Sequence, residues 1–180
     1  MIILEGMDNS GKSTLAAKFG LEVVHPGPAP KSYGEESAFL DSQLRDARLP
    51  IVMDRVTCIS SQVYKGRVFD SRYMDYLRQM VDTPHCIIVY CRPPDNVVLN
   101  FDTHNVKAHD TPEHLARVKA NARQYLESYD RLMQRIPHML YNYKCADESI
   151  IQQAVDSQFM IGEWKKCLTK LQLLQTPKRG

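Results

Sequence analysis

Apolar and polar positions follow two rhythms along this chain. Short runs, mostly apolar at successive positions, occur at 2–5, 21–25, 50–54, 84–91 and 138–143. Most are rich in β-branched or aromatic residues, as strands buried on both faces are. Segments of helical length lie between them at 13–19, 35–47 and 70–81. A further helix is the best marked. Thr111 offers a cap and Pro112 suits the first helical position. Leu115, Val118, Ala122, Tyr125, Tyr129, Leu132 and Ile136 then follow at spacings of three and four, one apolar stripe that makes Tyr125 and Tyr129 core residues rather than ligand stackers. A last amphipathic helix is predicted over about 148–174, ahead of a polar tail. The alternation βαβαβαβαβα predicts a five-stranded, mainly parallel sheet with helices on both faces, a three-layer α/β/α domain.

Composition narrows the class. The 180 residues fit one domain over 1–180, and 43% hydrophobic with 24% charged residues excludes a largely disordered chain. No run of about 18 apolar residues is present to span a bilayer. The first residues run directly into a glycine-bounded loop and leave no room for a signal peptide, so a cytoplasmic protein without a membrane partner is expected. A formal charge of +2 gives no footing for non-specific nucleic-acid binding. Five cysteines, an odd number with no CxxC pair, are expected to be reduced.

The chemistry concentrates in Gly6-Met7-Asp8-Asn9-Ser10-Gly11-Lys12-Ser13, a GxxxxGK[ST] motif. Its weight comes from context: Ile2-Ile3-Leu4 forms a strand before it and Leu15-Ala16-Ala17-Lys18-Phe19 a helix after it. The two glycines let the backbone fold tightly enough for its N–H groups to face phosphate oxygens, with the helix start adding partial positive charge. Asn9, Ser10, Gly11, Lys12, Ser13 and Thr14 are therefore the candidate nucleotide-binding residues, and ATP with Mg²⁺ the expected ligands. Lys12 would reach the β and γ phosphates and Ser13 the magnesium. The bland alternative is a glycine-rich turn carrying a surface lysine. The guanine-reading NKxD sequence is missing, because Asn105-Val106-Lys107-Ala108-His109-Asp110 has the wrong spacing. A small-molecule kinase fits this set best.

Glu5-Gly6-Met7-Asp8-Asn9-Ser10-Gly11-Lys12-Ser13-Thr14 resembles the EGxDGxGKST loop of the thymidylate kinases and their phage-type deoxynucleotide kinase relatives. Asp54-Arg55 is similar to that family's Asp-Arg-aromatic motif. Ser60-Ser61-Gln62-Val63-Tyr64-Lys65-Gly66 is similar to the S-x-x-A-Y-Q-G segment that follows. The resemblance implies a P-loop fold of the nucleoside-monophosphate-kinase type and transfer of the γ-phosphoryl of MgATP to a deoxynucleoside monophosphate, dTMP or another. It implies that Asp8 contacts the acceptor sugar and helps order magnesium, that Arg55 clamps the acceptor phosphate, and that Asp54 stands with Ser13 on the metal side. Tyr64 would crowd the sugar 2′ position, and Ser61 and Gln62 would lie where the base is read, with burial in a helix against the sheet as their alternative. Phe39 is a candidate to stack on the acceptor base or else a core phenylalanine. A homodimer is compatible with the resemblance.

The chain departs from that pattern in three places. Asn9 stands where one branch carries a loop arginine, and the lid expected over about 100–110 contains no arginine, so Lys107 or Arg92 is the candidate for the transition-state cation. His25-Pro26-Gly27-Pro28 replaces Arg-Glu-Pro-Gly-Gly after the second strand, which leaves the acceptor base open. The segment 27–49 is also shorter than in typical thymidylate kinases. His104, His109 and His114 recur every five residues, a spacing that shares no helix face and defines no metal site. Two other functions remain: a deoxynucleoside kinase, whose hydroxyl acceptor would want a carboxylate base, and a nucleotide-binding module without turnover.

Overall fold

The structure, a computed structural model, describes residues 1–26, 30, 32–83, 86–100 and 111–144. The expected helix over 148–174 and the lid residues His104, Lys107 and His109 lie outside the described residues. Five strands, β1 (Ile2–Glu5), β2 (Glu22–Val24), β3 (Ile51–Asp54), β4 (Ile87–Cys91) and β5 (Met139–Tyr141), form one sheet in the order β2-β3-β1-β4-β5. Every pairing is parallel. The strands sit where the apolar runs predict, β1 over its whole expected length, β3 and β4 shortened at their starts, and β2 and β5 at both ends. Six helices connect them among the described residues: α1 (Lys12–Lys18), α2 (Tyr33–Asp46), α3 (Thr57–Tyr64), α4 (Ser71–Asp82), α5 (Asp95–Val98) and α6 (Pro112–Met133).

Strand side chains alternate between two cores, as the period of two demands. Ile3, Met53, Ile88 and Tyr90 join Leu40, Ile59, Val63, Leu77, Leu126, Tyr129 and Leu132 on the face covered by α2, α3, α4 and α6. Ile2, Leu4, Val52, Val89 and Cys91 pack with Leu15 and Ala16 of α1 on the other. Local chemistry sets the helix starts. Ser32 Oγ accepts the Glu35 N–H at 3.2 Å to cap α2, and Asp70 Oδ1 accepts the Arg72 N–H at 3.1 Å at the start of α4. No helix among the described residues is long and apolar enough to cross a membrane.

The register places the site. Leu4 pairs with Asp54 and Val24 with Met53, so the ends of β2, β3 and β1 bring His25, Asp54 and the start of the glycine-bounded loop side by side. This is the C-terminal edge of the strands, where open α/β sheets bind ligands.

Candidate functional site

Loop 6–11 turns from β1 into α1 through left-handed backbone. Gly6 and Gly11 have φ of 140° and 85°, and Asn9, a residue type that tolerates this region, has φ of 62°. Gly6 is also required by space, because a Cβ there would lie 2.5 Å from the Cys91 carbonyl oxygen and 2.9 Å from Ser10 Oγ. Gly11 is crowded by the Tyr143 ring, whose Cδ1 would lie 2.6 Å from a Cβ.

Lys12 is buried and folds back over this loop. Its Nζ donates to the carbonyls of Gly6 at 3.0 Å and Met7 at 2.6 Å, and to Ser10 Oγ at 3.4 Å. Burial pulls its pKa down to about 8, the Arg55 charge adds to that, and Asp54 and Asp8 oppose it. Ser13 and Thr14 follow it, exposed on the first turn of α1.

Arg55 reaches the same loop from the end of β3. Its Nη2 donates to Asp8 Oδ1 at 2.7 Å, and Nε and Nη2 lie 3.4 and 3.3 Å from the Gly6 carbonyl oxygen. The Tyr64 ring lies under its guanidinium, 5.4 Å from carbon to centroid. Arg55 reaches this place from a backbone with φ of 76°, a conformation uncommon for a side chain of its size. The chain reverses there from β3 into α3, while the Arg55 N–H stays bonded to the Leu4 carbonyl at 2.9 Å. Tyr64 in turn packs edge-on against Tyr125 and Tyr129, with centroids 4.8 and 6.2 Å away.

Two carboxylates complete the site. Glu5 is fully buried: Oε1 accepts the Val56 N–H at 2.6 Å and Oε2 accepts Tyr129 Oη–H at 3.2 Å. Burial pushes its pKa up to about 7, against the lowering effects of the Val56 amide, Arg55 and Lys12. Asp54 is also buried. Its Oδ2 lies 3.2 Å from His25 Nδ1, and its Oδ1 is enclosed with no hydrogen-bond partner among the described residues. An orphaned carboxylate oxygen near the phosphate-loop lysine fits a small hard cation, which binds to one or two carboxylates and completes its shell with phosphate oxygens and water.

Several expected site residues do other work. Gln62 is fully buried; Nε2 donates to the Cys58 carbonyl at 2.7 Å and Oε1 accepts the Phe69 N–H at 2.7 Å, so it braces the turn after α3 instead of facing a base. Ser61 Oγ donates to Glu36 Oε1 at 3.2 Å, a buried link between α3 and α2. Burial works against the charge of Glu36, but hydrogen bonds from Lys65, Tyr73 and Ser61 hold its carboxyl below the usual value. Arg92 is not a cation directed at the loop. Its Nε and Nη2 bond Asp130 at 2.9 and 3.0 Å, Nη2 also bonds Asp95 at 2.7 Å, and Nη1 bonds the Pro93 carbonyl at 2.8 Å, a brace between α5 and α6. The Asn9 side-chain amide donates to the carbonyls of Val97 at 3.1 Å and Asn100 at 3.3 Å. Phe39 is half-buried on α2 and belongs to neither core cluster.

The structure thus brings together Asp8, Lys12, Asp54, Arg55 and Tyr64 among the residues picked out in the sequence, and adds Glu5, His25 and Tyr129. A charged residue ending an otherwise apolar strand was the visible signal for Glu5. His25 and Tyr129 had none, since both depend on strand register and helix packing.

Fold and site together define an α/β protein with an all-parallel sheet and a cation-rich, glycine-bounded loop at its strand ends. No family model and no curated protein matches the sequence. Among solved structures the chain is similar to YorR of Bacillus subtilis, determined in complex with phosphorylated GDP. The two share 19% identity over 98% of this chain and 99% of YorR, with a TM-score of 0.59. An unliganded sugar kinase from a Janibacter species gives 15% identity over 86% of this chain and 91% of that one, with a TM-score of 0.48. The likeness to YorR is one of fold.

Proposed function

We propose that this chain is a P-loop nucleoside-monophosphate kinase that transfers the γ-phosphoryl of MgATP to a deoxynucleoside monophosphate, giving the diphosphate and ADP. The observation that carries the reading is the convergence of Lys12 and Arg55 on one loop carbonyl, that of Gly6. Carbonyl oxygens occupy these cations where phosphate oxygens would replace them, and two positive groups gathered at one point of the loop are what a phosphoryl group between two phosphates requires.

The acceptor is already nucleophilic, because a phosphate monoester has its second pKa near about 6 and is largely dianionic at neutral pH. Catalysis then rests on positioning and charge neutralisation. Lys12 takes the β and γ oxygens, Arg55 holds the acceptor phosphate on its planar fork, and Asp8 keeps that fork oriented while contacting the acceptor sugar. Tyr64, fixed by Arg55, Tyr125 and Tyr129, walls the sugar. Magnesium, held on the protein side by Ser13 and Asp54, supplies charge neutralisation across the phosphates when bound. Lys107 remains the candidate for the lid cation. Use of ATP, a cytoplasmic location and a homodimer belong to the same proposal.

The test is ADP release from MgATP against a panel of deoxynucleosides and of deoxy- and ribonucleoside monophosphates. The panel includes guanine nucleotides, because YorR holds one. Turnover with monophosphates that is lost in Lys12→Ala supports the proposal. Turnover confined to unphosphorylated nucleosides contradicts it.

A further inference from the structure

His25 is the residue the reaction leaves unused, and the strand register gives it a place. β2 and β3 run parallel with Val24 beside Met53, so the next residues, His25 and Asp54, are lateral neighbours at the strand ends. Asp54 in turn pairs with Leu4, two residues before Gly6. The imidazole Nδ1 lies 3.2 Å from Asp54 Oδ2, close enough for an Nδ1–H to donate to it. The other carboxylate oxygen, Oδ1, is buried and has no partner among the described residues.

A carboxylate gripped at one oxygen cannot rotate without breaking that grip, so the direction of the second oxygen is fixed. Left alone, that second oxygen is a costly group to bury. The arrangement makes sense when Oδ1 has a ligand that arrives later. Asp54 also acts electrostatically on both Lys12 and Arg55, which places it within the charge field that would hold the phosphates.

We propose that His25 is a positioning residue that aims Asp54 Oδ1 at the magnesium of the bound nucleotide, the role that hydrogen-bonded neighbours play for metal-binding side chains elsewhere. The inference rests on the phosphate-loop reading given above. It assigns no proton transfer to His25, only a donor at Nδ1. Asparagine can imitate that donor with its Nδ2, and alanine cannot.

The experiment measures binding, not turnover. Mn²⁺ is titrated into full-length protein carrying a non-hydrolysable ATP analogue, the bound metal being read from its electron paramagnetic resonance signal. Affinity for the metal-free analogue is measured alongside. His25→Ala is expected to weaken Mn²⁺ binding by about tenfold or more, to leave affinity for the metal-free analogue within about twofold, and to be largely restored in His25→Asn. Unchanged Mn²⁺ affinity in His25→Ala, with the analogue still bound, overturns this inference alone. Equal loss of metal and metal-free analogue in both variants also overturns it, since His25 would then support the fold and not the metal. Failure of the wild-type protein to bind the analogue overturns the phosphate-loop reading and this inference with it.

Discussion

Arg55 carries the most information of any single residue. A left-handed conformation at a non-glycine position stores strain of roughly 1–3 kcal/mol, and here it is spent on turning the chain so that a guanidinium faces the loop. Arg55→Gly and Arg55→Ala both remove the proposed phosphate clamp, but only glycine also relieves the backbone. Turnover is expected to fall by roughly a hundredfold or more in both, while the glycine variant is more stable than the alanine variant by about 1 kcal/mol. Paired kinetics and urea melts check this, and equal stability would contradict the strain. Glu5 makes a prediction about pH. Its folded-state pKa of about 7 lies above the ordinary 4.5, so the folded chain holds this proton more tightly than the unfolded one. Stability from this residue is full below about pH 4.5 and falls as pH rises through 7, by on the order of 3 kcal/mol. Glu5→Gln keeps an acceptor for the Val56 amide and a polar contact to Tyr129 without the charge. It should flatten that limb of the stability profile, as urea midpoints across the range would show.

At the scale of elements, the sequence was most legible where burial is symmetrical. Strands apolar at successive positions and the long stripe of α6 announce themselves, because packing on the sheet demands those patterns. α3 was not among the helices that the pattern predicted. Its eight residues mix Thr57, Ser60, Ser61 and Gln62 with apolar neighbours, and it starts just after the chain reverses at Arg55, with no side-chain cap to mark it. Motif resemblance put Gln62 at the base, whereas helix phase turned it inward, where it ties the Cys58 carbonyl to the Phe69 amide. Gln62→Ala is therefore expected to lower stability by about 1 kcal/mol, through loss of the bond to the part-buried Phe69 amide and of the second donor at the Cys58 carbonyl, with the acceptor KM little changed. A large KM change at wild-type stability would return Gln62 to the substrate site. Arg92 shows the same limit in another form. Position in the sequence offered a cation near the lid, but its partners Asp95 and Asp130 come from helices whose docking no local pattern encodes.

At the scale of the molecule, one sheet order accounts for the site. With β1 between β3 and β4, the loop after β1 is flanked by the end of β3, which supplies Asp54 and Arg55, and by the end of β4, whose Cys91 carbonyl closes on Gly6. The alternation of apolar runs predicted the parallel sheet. The glycine-bounded motif marked the loop, while the pairing of His25 with Asp54 waited on register. The same geometry implies that Gly6→Ala cannot be accommodated, because a methyl group would press on backbone 2.5 Å away. Nucleotide binding should be lost in that variant even where the rest of the fold survives, which calorimetric titration and circular dichroism together would establish.

The central claim is that the acceptor is itself a phosphate, and phosphorus NMR of MgATP mixed with the protein and a deoxynucleoside monophosphate tests it most directly. The account predicts that the γ-phosphate signal of ATP declines as the β-phosphate signal of a new deoxynucleoside diphosphate grows. Loss of the γ signal into inorganic phosphate alone, or transfer seen only when the acceptor is an unphosphorylated nucleoside, would contradict it.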